Sequence, residues 1–270
     1  MALTLAQVQS LFGVSASGTA SGGAAQAIPA LRRATEDGAE AKGVAQEKKD
    51  PVTLSALARF RAALDKAGSI EAALQDPRIL KVILPALGLA GQEGHAGMVR
   101  RALLSDPSDE KGLAAALGST WQAAAETLGV HRTGLDGLRD PAMIDRLTAA
   151  YLKYQYRSGL DQRQAGLSDA LYFLESAKNA TDVYDLLGDP VLRRVVTGAL
   201  GLPDQIAVQS VEAQGRAVSS RLTIGSLQDD RTVRKLAERY LIAAADKAAA
   251  ASAAQSTDAM TSIIALSIKA

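Results

Sequence analysis

Five of the eight prolines in this chain follow an aspartate: Asp50-Pro51, Asp76-Pro77, Asp106-Pro107, Asp140-Pro141 and Asp189-Pro190. The pair has a helix-starting logic. An N-cap Asp accepts from the free N–H groups of the first turn and sets its charge against the positive end of the helix dipole. Proline at the next position already has the φ a helix needs and no N–H to satisfy. Leucine stands two residues before four of these aspartates, at Leu74, Leu104, Leu138 and Leu187. Leu227-Gln228-Asp229 repeats the pattern, with Asp230 in place of proline. Gly68, Gly88, Gly118, Gly129 and Gly201 each close an apolar run, the place for a left-handed residue after a helix.

Between these starts and stops the apolar spacing is helical. Leu54, Leu57, Phe60 and Leu64 share one face, as do Val233, Leu236, Ala237, Tyr240 and Leu241. No stretch alternates β-branched and polar residues as a strand does. Alanine, the best helix former, makes up about a fifth of the chain. The reading is an all-α, multihelical fold of roughly ten helices.

The first 49 residues read as a flexible arm. Leu3–Phe12 is a short amphipathic segment, 14–27 has the Ser/Gly/Ala composition of a linker, and 32–49 is dense in charge. Residues 50–245 carry the helical domain. Residues 246–270 form an Ala-rich helix or tail that ends in Met260, Ile263, Ile264, Leu266 and Ile268, and either docks on the core or binds a partner helix.

Composition excludes whole classes of chemistry. The chain has no cysteine, so disulfide scaffolds, thiolate metal sites and thiol nucleophiles are out. Its net charge of +1 gives no electrostatic footprint for nucleic acid or an anionic membrane. The apolar stretch 79–90 contains Lys81 and Pro85 and is too short to span a bilayer. The N-terminus lacks the basic and apolar regions of a secretory signal. A cytoplasmic location is expected, with export independent of a signal peptide left open.

An internal repeat organises the middle of the chain. Residues 69–89 (SIEAALQDPRILKVILPALGL) align with 182–202 (DVYDLLGDPVLRRVVTGALGL) at a fixed offset. Leu74/Leu187, Asp76/Asp189, Pro77/Pro190, Val82/Val195 and the run 86–89/199–202 are identical. The stretch from Asp140 to Leu152 also resembles Asp229 to Leu241, pairing Ile144 with Val233, Leu147 with Leu236, Tyr151 with Tyr240 and Leu152 with Leu241. Duplication of a helical module accounts for both.

These signatures carry a resemblance. The run 74–89, the segment Arg101-Ala-Leu-Leu-Ser-Asp-Pro-Ser-Asp109, the second copy at 187–202 with Pro203, and 227–241 together resemble an alphaproteobacterial domain family of unknown function. That family is often encoded in flagellar gene clusters. The resemblance covers roughly residues 50–245. It implies a multihelical fold and an association with the flagellum or motility, and it brings no catalytic or cofactor residues with it.

Phosphate-loop, dinucleotide, zinc-protease and calcium-loop patterns are missing. The glycines around His95 read as an interhelical turn, and His131 as a surface residue in a loop. Ser108-Asp-Glu-Lys111 fits a Ser-x-x-Lys pattern but reads as a helical first turn. Glu175 follows Tyr172-Phe173-Leu174, and a carboxyl beside aromatics is the general acid a peptidoglycan-cleaving enzyme needs. Six of the ten aromatics fall between Tyr151 and Tyr184, close to Arg157, Arg163, Arg193 and Arg194. Tyrosine and arginine favour binding hot spots, although Tyr151 and Phe173 fit buried phases.

The expectation is a non-enzymatic helical interaction protein of flagellar assembly or motility, needing no cofactor or metal. Its partners are other proteins, and its candidate partner surface is Tyr154, Tyr156, Arg157, Ile263 and Ile264. The alternatives are an export chaperone and a peptidoglycan-cleaving enzyme acting through Glu175.

Overall fold

In the computed structural model, the backbone is described for residues 23–267 and the side-chain surroundings for residues 23–254. The amphipathic segment read at Leu3–Phe12 and the side chains of Ile263 and Ile264 lie outside the described residues. Among the described residues the chain is all-α, with fifteen α-helices, four 3-10 turns and no strand. The count exceeds the expected ten because elements such as Ile70–Ala73 and Leu113–Leu117 are too short to show a 3.6-residue period.

Two compact units divide the chain, one spanning Glu40–Tyr156 and the other containing the described parts of 1–39 and 157–270. The Glu40–Tyr156 unit opens with α2 (Ala39–Glu47), which follows α1 (Ala24–Ala34) of the other unit. It continues through α3 (Pro51–Lys66), α4 (Ile70–Ala73), α5 (Pro77–Ala86), α6 (Ala96–Leu103), α7 (Leu113–Leu117), α8 (Ser119–Leu128) and α9 (Val130–Arg139). The boundary falls within α10 (Pro141–Arg163). The core of this unit gathers Phe60, Leu64, Leu80, Ile83, Leu103, Leu128 and Tyr151, all 2% exposed or less. Burying each such side chain contributes about 1.5–3 kcal/mol.

The other unit comprises α1, the end of α10, α11 (Leu167–Ser176), α12 (Val183–Gly188), α13 (Pro190–Ala199), α14 (Val211–Ser219) and α15 (Asp230–Ser267). Helix α15 is its axis, packing on α1, α11 and α13. Val233, Leu236, Ala237, Tyr240, Leu241 and Ala245 form its buried stripe, the face the periodicity predicts. Residues 24–47, expected within a flexible arm, are two helices, and α1 fully buries Ala27 and Leu31.

Each unit contains one copy of the repeat. Asp76 accepts from the Arg78 N–H at 2.8 Å, and Asp189 accepts from the Val191 and Leu192 N–H groups at 2.7 and 2.9 Å. Pro77 and Pro190 follow as first helical residues. Both copies close alike, with Gly88 (φ 76°) and Gly201 (φ 62°) left-handed. The next N–H reaches back five residues, Leu89 to the Leu84 carbonyl at 2.8 Å and Leu202 to that of Thr197 at 2.9 Å.

Asp50 and Asp140 also precede helices and accept from first-turn N–H groups. Asp106-Pro107 differs. Its carboxylate accepts from the Ser108 N–H and hydroxyl, and 106–112 stays in turns. Ser108–Lys111, expected as a helical first turn, therefore lies ahead of α7, whose Ala114 N–H is taken by the remote Ser105 hydroxyl at 3.1 Å. Polar side chains that bond their own backbone compete with helix initiation. Gly68 is not left-handed either; α3 ends at Lys66, its cap residue Ala67 is extended, and the carbonyls at this end are taken by Arg139.

Candidate functional site

The densest polar cluster lies in the unit built around α15. Three helices converge on Asp169 of α11. The Tyr240 hydroxyl of α15 donates to its Oδ2 at 2.7 Å, and Arg194 Nη1 of α13 donates to the same oxygen at 2.6 Å. Burial, reinforced by the Asp169 charge, pushes the Tyr240 phenol far above its usual range, so it stays a neutral donor. In the last turn of α10, Asp161 accepts from the Ser168 N–H at 2.8 Å and from its hydroxyl. Burial raises the Asp161 carboxyl, and the two Ser168 bonds offset part of that.

Tyr240 reaches this position because glycines admit it. A Cβ at Gly198 would lie 2.9 Å from the Tyr240 ring, and one at Gly166 2.8 Å from it. A second tyrosine anchors α11 to α13, since the Tyr172 hydroxyl donates at 2.7 Å to Asp189, the carboxylate that also caps α13. Burial raises this phenol too, with the Asp189 charge adding to it.

Beside Tyr240 is a cavity of about 590 Å³, walled by Arg193, Leu202, Ile206, Gln214, Tyr240 and Ala244 among others. Its size is that of a small-ligand pocket. Gln214, 4% exposed, donates its amide to the Gln209 carbonyl at 2.9 Å. Asp169, Arg194 and Tyr240 are committed to one another, so their chemistry is that of a clamp holding three helices.

The residues singled out from sequence do not converge. Tyr156, expected on a partner surface, is 7% exposed, with its ring against Gly43. A Cβ at Gly43 would overlap that ring, so the backbone of α2 approaches close enough to cover it. Arg157 has a side chain 14% exposed and gives Nη2 to Glu175 at 2.5 Å. Tyr154 is half-buried. Glu175 is 49% exposed, salt-bridged to Arg157, and lines none of the three described cavities. His95 is exposed and His131 half-buried. Among the described residues no group of three His, Cys, Asp or Glu is placed to hold a metal ion, and no helix is long and apolar enough to cross a membrane.

No local sequence pattern marks the Asp169 cluster. Its partners lie 25 and 71 residues away, and the one available signal was the pairing of Tyr151 with Tyr240 across the repeat.

Comparison with known proteins gives a family and a fold. A family described as "Protein of unknown function (DUF1217)" matches residues 86–233. The crystal structure of protein AGR_C_984 from Agrobacterium tumefaciens is similar with a TM-score of 0.63 and 23% identity. The similarity covers 83% of this chain and 94% of that one. At that identity the likeness concerns the fold. No curated protein matches.

Proposed function

The chain belongs to the family of proteins of unknown function DUF1217, and from that premise we propose that it is a non-enzymatic interaction protein of flagellar assembly or motility. The flagellar setting rests on the sequence resemblance carried by 74–89, 101–109 and 187–202. The interaction role rests on one observation. Helix α15 runs to Ser267, yet Ala245 is its last buried residue among those described. At 1.5 Å per residue, about 33 Å of helix continues past that point. It carries an Ala/Ser tract and then Met260, Ile263, Ile264 and Leu266 in sequence. A helix of this kind is suited to lie along an apolar groove or a second helix of another protein.

The test is swimming of a strain with the gene cleanly deleted, with and without the gene restored. Loss of swimming that the restored gene repairs is expected. Normal swimming of the deletion strain contradicts the flagellar setting. A stoichiometric complex with one flagellar subunit before its export would assign the chaperone form of the same role.

A further inference from the structure

The repeat places a groove at the same position in both units. The cavity beside Tyr240 is lined by Pro190, Arg194, Tyr240 and Ala244; a groove of about 460 Å³ in the Glu40–Tyr156 unit is lined by Pro77, Lys81, Tyr151 and Gln155. These four pairs occupy the same repeat positions; the counterparts of the other two repeat residues lining the smaller groove, Arg78 and Val82, do not line the larger cavity. In each unit the Asp-Pro helix and the long helix that follows Asp140 or Asp229 both line the groove.

The electrostatics of the two differ. Beside Tyr240, Asp169 neutralises Arg194 and Asp204 pairs with Lys247 at 2.6 Å. The groove beside Tyr151 is lined by Arg59, Arg78 and Lys81 and by no carboxylate. Asp76 holds Arg78 at 2.6 Å, whereas the side chains of Arg59 and Lys81 are exposed and make no hydrogen bond or ion pair among the described residues. Tyr151, 2% exposed, is hydrogen-bonded through its hydroxyl to the Gln155 amide at 2.6 Å. The walls between are apolar: Pro51, Val52, Ala56 and Val82, with Val52 74% exposed.

The α3 wall runs from Pro51 through Ser55 to Arg59, one face over two turns, about 12 Å long. An apolar floor two helical turns long, edged by the exposed cations Arg59 and Lys81, matches a helix with an apolar face and carboxylates beside it. We propose that this groove docks an acidic amphipathic helix of a partner protein. The proposal deepens the interaction reading and rests on it, but it uses none of the residues of α15.

The experiment places a photo-crosslinking residue at position 52 of the full-length protein in its native cells, with the attached segment identified by mass spectrometry. The expected adduct is a partner segment with net negative charge and apolar residues three and four apart. Its yield falls about tenfold in Arg59→Glu/Lys81→Glu. Both residues are exposed, and Arg59→Gln/Lys81→Gln serves should the reversal disturb folding. Absence of an adduct, attachment to a basic or uncharged segment, to lipid or to a second copy of this chain, or a yield unchanged in both variants overturns the proposal. The adduct does not depend on swimming, so failure here and failure of the flagellar reading are separately visible.

Discussion

The guanidinium of Arg139 closes the C-terminal end of α3 by donating to the Leu64 carbonyl from both Nε, at 3.1 Å, and Nη2, at 2.9 Å. Nη2 also reaches the carbonyls of Asp65, at 2.9 Å, and Ala67, at 2.8 Å. The last carbonyls of a helix lack intrahelical partners, and a cation there meets the negative end of the dipole. One side chain from α9 thus does for α3 what a left-handed glycine does for α5 and α13.

Arg139→Ala should therefore cost about 2 kcal/mol, the worth of charge-assisted bonds to half-buried carbonyls. Arg139→Lys keeps the charge but loses the planar fork and should cost about half as much. Urea unfolding midpoints of the three proteins check this; equal midpoints would show that the contact carries no stability.

Gly198→Ala should destabilise the protein by about 1–3 kcal/mol, because the new methyl meets a Tyr240 ring already confined by Gly166. In an isolated helix the same change is favourable by about 1 kcal/mol. The sign of the change in melting temperature distinguishes the two cases.

Tyr156→Ala should cost about 3 kcal/mol, as a buried aromatic does, while half-buried Tyr154→Ala should cost clearly less. Equal losses would contradict the packing of Tyr156 on Gly43.

How much of this was legible in the sequence depends on the range of each interaction. The starts at Asp50, Asp76, Asp140 and Asp189 were readable because a cap acts over two or three residues. Asp106 carries the same dipeptide, but Ser108 and the polar residues to Gly112 gave its carboxylate a competing local use. The Arg139 cap spans 72–75 residues and the Tyr240–Asp169 bond spans 71, so neither leaves a local pattern. Tyr156 had the composition of a hot spot; what buries it is the close approach of a glycine on α2.

Acid should unfold the protein in part through its caps. Asp229 is held below its ordinary value of 3.8 chiefly by the Thr232 side chain, Asp76 by Arg78 and Asp185 by the Thr181 N–H. A depressed native value gives stability that is full above 3.8 and lost as pH falls through the native value. Asp161 runs the other way: its raised carboxyl gains a proton first in the native state, which offsets part of the loss. Asp229→Asn, which still caps, should flatten the acid limb of melting temperature against pH, and Asp161→Asn should steepen it. Parallel acid limbs for all three proteins would contradict both assignments.

The most direct test of the interaction role is swimming of the deletion strain carrying either the full-length gene or a version ending at Ala254. That truncation keeps the Lys247–Asp204 ion pair and every described buried residue. The account predicts an unchanged melting temperature and no swimming with the truncated protein, against full swimming with the complete one. Swimming restored equally by both would contradict it.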